Sequence, residues 1–291
     1  IGIIAYMAVM LGIGVYASRK NKSAEDYLVA GRSFGVWFNA STILITFVGA
    51  VVFIGDSSLA YDIGIWNTEY SWGMITTAGG GTLCMLLLGR FFIPILWKLK
   101  YLSLGDFYYV RFGKVSGLVA TSLILFTFIF WVATNVVIFG KVVHPLLGWD
   151  INTAIWIGIL VLTIYTVLGG MYAVCYTDVV QVVIMLLGLA ILVPITISMA
   201  GGLTEVLQST PETMKSILPQ EGGSYVPWLA AWMILGVGSI ASPDMAQRSF
   251  TAKSAKIAQK SFYIAAAVYL IIEVAVLLAG FSGRVLVEKG I

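Results

Sequence analysis

The chain has 291 residues, 59% of them hydrophobic and 11% charged, with a mean hydropathy of +0.96 and a formal charge of +3. A soluble domain is about 45–50% apolar and about 25% charged, and a water-soluble fold of this length cannot hide so much apolar surface, so a soluble enzyme, a disulfide-stapled secreted domain and a disordered tail are excluded. The charge is too small and scattered for nucleic-acid binding, and Cys84 and Cys175 sit in apolar runs without metal-ligand spacing, which leaves a polytopic membrane protein.

A membrane helix needs roughly 20 mainly apolar residues. Eight stretches qualify in chain order: 1–18, 36–61, 72–97, 115–140, 151–168, 172–199, 226–247 and 260–283. The short alternating segments of a membrane β-barrel are absent, so an all-α bundle of about eight transmembrane helices is expected. Ile1 already lies inside an apolar run and the last span ends close to Ile291; the expectation is a fragment of a longer protein. Cytoplasmic loops collect Lys and Arg. With eight spans, thirteen of the 17 basic residues fall on one side, in the loops and helix ends after spans 1, 3 and 7, and four fall on the other: Lys141, Lys215, Arg284 and Lys289. That asymmetry predicts a multi-pass protein of the cell membrane with the N-terminal end of the chain outside.

Four acids lie in or beside the spans, where an ionisable group costs roughly 2.5–3.5 kcal/mol on insertion scales and points to function: Asp56, Asp178, Asp244 and Glu273. Each also has a plainer reading. Asp56 would sit at the outer membrane surface. Asp178 would cap, or lie in the first turn of, span 6. Asp244 would pair with Arg248 four residues on, and Glu273 would be a buried structural acid with a helix partner. His144 is expected in an outer loop.

Spans 2 and 7 carry helix-weakening residues: Gly49, Gly55, Ser57 and Ser58 in the first, Gly236, Gly238 and Pro243 in the second. Broken membrane helices persist where protein or a water-filled cavity satisfies the freed backbone. A pair of them at corresponding positions of two repeats marks a transporter binding site. The two breaks are five spans apart, as expected if spans 2–6 form one repeat and span 7 opens its inverted copy. Gly79, Gly80 and Gly81 in span 3 read as packing residues.

Residues 169–181 read Gly-Gly-Met-Tyr-Ala-Val-Cys-Tyr-Thr-Asp-Val-Val-Gln. The positions Gly169, Gly170, Ala173, Val174, Thr177, Asp178 and Gln181 resemble the signature of the sodium:solute symporter family. Ala24–Ser33 is similar to that family's first cytoplasmic loop, and Gln247-Arg248 with Thr251–Ser254 and Ala258–Lys260 to the loop after its sixth core helix. The resemblance implies a five-plus-five inverted-repeat, leucine-transporter-like core with an incomplete second repeat. Residues 1–18 would then be a peripheral helix, 36–199 the first repeat and 226–283 the first two helices of the second, all within one transmembrane domain, 1–291. It further implies sodium as the co-transported ion. Backbone carbonyls of Ile45 and Val48 would form half of its site, counted back from Phe53-Ile54-Gly55, and the hydroxyl ligands of the other half would come from a core helix that follows. Asp178 matches an aspartate implicated in sodium coupling. The solute pocket would lie along the breaks, with Thr46, Val51, Val52, Ser239, Ser242 and Asp244 as candidates. Val51 and Val52 stand where sugar symporters of the family carry a Glu-Gln pair, so an amine, amino acid or carboxylate is expected over a sugar. Trp131 and Trp232 would either stack on a cationic amine or mark the membrane interface.

The function expected is sodium-coupled inward transport of a small organic solute by alternating access, with sodium, the solute and the lipid bilayer as partners. A transporter-like module of a sensor protein and a cation-independent facilitator stand as alternatives. A membrane-embedded enzyme is disfavoured, because no catalytic cluster is apparent.

Overall fold

A computed structural model describes residues 2–49, 51–220 and 223–291, with Val51 described by its backbone alone. Among the described residues the regular structure is helical apart from two isolated bridges, Phe34 to Ala252 and Asn67 to Trp72. The helices are α1 (Gly2–Ser18), α2 (Ala24–Val29), α3 (Val36–Phe47), α4 (Ser57–Asp62), α5 (Gly80–Leu87), α6 (Ile93–Lys98), α7 (Leu104–Phe112), α8 (Lys114–Leu147), α9 (Ile151–Met199), α10 (Leu203–Ser209), α11 (Glu212–Lys215), α12 (Tyr225–Gly236), α13 (Pro243–Phe250) and α14 (Ala255–Glu288). Wider turns with i→i+5 bonding cover Val51–Asp56, Ile75–Gly79 and Leu88–Phe92.

Among the described residues four helices are long and apolar enough to cross a membrane: Ile75–Lys98, α8, α9 and α14. The eight predicted spans map onto these and the shorter pieces for identifiable reasons. Helix α1 has 17 residues and is apolar throughout. Predicted span 2 divides into α3 and the helical stretch that resumes at Val51, and predicted span 7 divides into α12 and α13. Spans 5 and 6 are drawn together into α9, whose 49 residues would run about 73 Å, more than twice the hydrocarbon thickness of about 30 Å. The helix is broken at Gly170, with φ 54° and ψ −147°. That region is open essentially to glycine alone, so the break falls between the two predicted spans. His144 lies in the last turn of α8 rather than in a loop, its Nδ1 2.6 Å from the Trp149 carbonyl oxygen just past the helix end. Leu123, Phe126 and Ile129 of α8 are more than 60% exposed, an apolar surface suited to lipid.

The chain divides into two compact units. The first comprises residues 1–46, 92–181 and 242–261. A cluster of Ala17, Ala30, Phe34, Tyr172, Ala173 and Cys175 forms one part of its core. A Cβ on Gly14 would stand 2.7 Å from the Tyr165 Cβ, so glycine lets α1 lie against α9. Three basic segments are knitted together here. Residues 30–32 all take left-handed backbone conformations, with φ 50° at Ala30, 56° at Gly31 and 49° at Arg32, at about 1–2 kcal/mol for each non-glycine residue. Arg32 bonds Glu25 at 2.9 Å and donates to the carbonyls of Lys100 (3.0 Å), Tyr101 (2.9 Å) and Phe250 (3.4 Å). Gln247 Nε2 donates to the carbonyls of Leu28 (2.6 Å) and Leu102 (2.9 Å), and Trp97 Nε1 to that of Ala252 (2.9 Å). Lys20 donates to the Tyr176 hydroxyl at 2.5 Å, a bond that raises the ammonium pKa.

The second unit comprises residues 47–91, 182–241 and 262–291. Its glycine triplet is a packing surface. A Cβ on Gly79 would stand 2.7 Å from the Trp232 ring, on Gly80 3.2 Å from the Leu235 Cβ, and on Gly81 2.7 Å from Tyr269 and 2.8 Å from Phe47. Trp232 therefore has a packing role against Gly79, with its ring 5.8 Å from that of Trp228.

Candidate functional site: a buried charge cluster at Asp178

Asp178 lies on α9 two turns beyond the break at Gly170 and is 5% exposed. The cap and first-turn readings are therefore corrected: the helix is already established where Asp178 occurs. One oxygen, Oδ2, accepts a short hydrogen bond from the Thr42 hydroxyl and lies 3.7 Å from Arg248 Nη2. Thr42 and Thr46 are one helical turn apart on α3 and so share a face. Arg248 Nε donates to Thr46 Oγ1 at 2.8 Å, Thr46 donates onward to the Thr42 carbonyl at 2.7 Å, and Arg248 Nη1 lies 3.0 Å from Met171 Sδ. Asn39 Nδ2 donates to the Arg248 carbonyl at 2.7 Å and to Thr251 Oγ1 at 2.9 Å, which anchors the end of α13 behind the guanidinium.

The predicted Asp244–Arg248 ion pair does not form. Asp244 is in the first turn of α13. Its Oδ1 accepts from the Ser242 hydroxyl and from the Met245 N–H at 2.8 Å, while Arg248 turns to Asp178. One cation thus serves two acids, and the salt-bridge geometry assigns it to Asp178. Beside α13 a cavity of about 350 Å³ opens, lined by Asp244, Arg248 and Gln247 and by residues of α7, α8 and α9. Its lining includes the hydroxyl residues Ser103 and Thr121 and the apolar residues Leu104, Phe128 and Met171.

The remaining sequence candidates distribute as follows. Ile45 is in the last turn of α3, where carbonyls lack intrahelical donors, and Val48 lies past the helix end in the second unit, 2% exposed. Val52 is buried in the second unit, with its N–H bonded to the Gly49 carbonyl at 3.1 Å; the Val51 side chain lies outside the described residues. Ser239 is in the irregular stretch after α12, also in the second unit. Thr46, Ser242, Asp244 and Asp178 share the first unit. Asp56 is not a surface residue: it is 5% exposed, in the second unit with Glu273 and Thr77 as electrostatic neighbours. Glu273 is fully buried, neither oxygen reaching hydrogen-bond geometry with a described partner, beside Asp56 and Tyr269. Trp131 is half-exposed on α8.

Sequence reasoning missed Thr42 and Met171, and gave Arg248 the wrong partner. The Thr42/Thr46 spacing was available as a signal, since i and i+4 hydroxyls make one polar face on an otherwise apolar helix; the long-range choice between Asp178 and Asp244 was not.

A sequence model described as the sodium:solute symporter family matches residues 27–289. The sodium/glucose cotransporter of Vibrio parahaemolyticus is 27% identical over 97% of this chain and 54% of its own length. The human high affinity choline transporter 1 is 26% identical over 97% of this chain and 50% of its own length. Among solved structures, a substrate-bound, outward-open Na+-coupled sialic acid symporter superposes with a TM-score of 0.83 at 22% identity, over 99% of this chain and 60% of that one. The likeness establishes the fold. The chain spans between half and three-fifths of the length of these proteins.

Proposed function

The chain belongs to the sodium:solute symporter family, and from that premise we propose that it serves sodium-coupled secondary active transport, moving a small organic solute inward by alternating access. The observation that carries this reading is the buried Asp178 cluster. A carboxylate held by one hydroxyl and one guanidinium on the basic-loop side is a place where a hard monovalent cation gains an oxygen ligand by displacing its internal counter-ion. The carbonyls of Ile45 and Val48, at the end of α3, are the proposed sodium ligands upstream of it. The proposed organisation is a peripheral helix, 1–18, a first repeat, 36–199, and the two opening helices of a second, 226–283, in the cell membrane with the N-terminal end of the chain outside. Ser242 and Asp244 are the proposed solute-facing residues of the first unit. Val51 and Val52 argue against a sugar, because valine offers no hydrogen bond to a hydroxyl.

The test is uptake of labelled solutes by the full-length protein in vesicles, with and without an inward sodium gradient. Uptake that follows the gradient supports symport; uptake indifferent to it makes the protein a facilitator. Asp178→Asn is expected to weaken the sodium dependence, and an unchanged sodium response assigns Asp178 to structure alone.

A further inference from the structure

We infer that the cavity beside α13 is a binding site for organic ammonium solutes with a compact apolar body, with Asp244 as the counter-charge. This deepens the transport reading above and rests on it for Asp244 as a solute-facing residue. The argument starts from charge. Arg248 is committed: its Nη2 faces Asp178 at 3.7 Å, its Nε is bonded to Thr46 and its Nη1 meets Met171. Two acids share one guanidinium, and its ion-pair geometry is with Asp178, so Asp244, hydrogen-bonded to Ser242 and the Met245 N–H, feels Arg248 only at longer range. Among the described residues no salt bridge reaches it. A carboxylate with no ion pair at close range gains a charge-assisted hydrogen bond from a ligand that brings a cation.

The walls select what the cation is attached to. The lining combines the apolar residues Leu104, Phe128 and Met171 with the hydroxyl residues Ser103 and Thr121. An alkylammonium places its charge at Asp244 and its body against those walls, which include the aromatic Phe128. A carboxylate solute that carries no ammonium group would meet Asp244 as a like charge. A sugar would leave most of its hydroxyls facing hydrocarbon without partners. The volume, about 350 Å³, stands at the small end of the range of about 300–1,000 Å³ for solute pockets, which sets the size at a small amine or an amino acid with a short apolar side chain.

The experiment is equilibrium binding to the full-length protein in lipid nanodiscs, using isopentylammonium, isovalerate, L-valine and glucose as probes, in sodium and in potassium buffers. The expected result is that isopentylammonium and L-valine bind, isovalerate and glucose bind at least tenfold more weakly, Asp244→Asn loses at least tenfold for isopentylammonium and Asp244→Glu retains most of it. A melting temperature for each variant separates lost binding from lost folding. Leu125→Trp fills the cavity from a position already exposed to lipid, and is expected to block the same probe with Asp244 left in place. Equal binding of isovalerate, or a folded Asp244→Asn protein that binds isopentylammonium normally, overturns the inference and returns Asp244 to a first-turn structural acid. Displacement of isopentylammonium by sodium but not by potassium, competitive in form, overturns it in favour of an inorganic ion site. Uptake in vesicles keeps the two readings apart. Sodium-driven uptake of another solute class without ammonium binding sinks the site and spares symport, whereas ammonium binding without sodium-driven uptake does the reverse.

Discussion

At the residue scale, Arg248 decides more than any other side chain. Truncating one partner of a buried ion pair costs about 3–5 kcal/mol, because the other charge is left without compensation. Arg248→Ala is therefore expected to lower the melting temperature of the purified protein strongly, and the double variant Arg248→Met/Asp178→Asn to recover much of the loss; strict additivity would mean that the two groups do not interact. Glu273 predicts the opposite sign. It is fully buried, and its two oxygens lack hydrogen-bond geometry to any described group, so Glu273→Gln removes a buried carboxyl that has the acid Asp56 as a neighbour. The expected outcome in a thermal melt is a protein at least as stable as the parent. A loss of several degrees would show that the carboxylate has a stabilising partner.

At the element scale, glycine sets which helices approach and which bend. Gly81 stands where a Cβ would meet both Tyr269 and Phe47 below 3 Å. Gly81→Val is expected to destabilise by at least about 1–3 kcal/mol, the usual cost of overpacking. Gly188, also helical, has nothing within 4 Å of an added Cβ, and Gly188→Ala is expected to be neutral or to stabilise by up to about 1 kcal/mol. Gly170→Ala combines a forbidden backbone region with a clash at 2.7 Å against Tyr27, and is expected to cost about 1–3 kcal/mol through strain alone. Thermal melts of the three variants check the ranking. This is also where the sequence was most and least legible. The join predicted between residues 168 and 172 contains the break at Gly170, and Gly79–Gly81 announced close packing, because each has a local cause. That α9 would carry its hydrogen bonding past the join, or that Arg248 would choose Asp178 over Asp244, depends on contacts between distant segments. Spacing along one helix favoured Asp244, one turn away; the tertiary placement of Thr42 and Met171 around Asp178 outweighed it.

At the scale of the whole molecule, the apolar composition and the thirteen-to-four division of basic residues predict an orientation. Lys256→Cys, in the first turn of α14, and Gln208→Cys, on α10, are both exposed positions. The native cysteines, Cys84 and Cys175, are buried and give little background. In right-side-out vesicles a membrane-impermeant thiol reagent is expected to label Gln208→Cys in sealed preparations and Lys256→Cys only after permeabilisation. The reverse pattern would invert the proposed topology.

Arg32 carries a mechanical corollary. A single planar headgroup ties Glu25, residues 100 and 101, and Phe250, so three stretches of chain share one fastener. Each of these contacts helps to orient the guanidinium for the others, so the three stretches are coupled through one side chain. An ammonium, round and with fewer donors, would hold any one of these stretches but not all three, so an Arg32→Lys protein should stay folded yet exchange the amide hydrogens of these stretches faster than the parent.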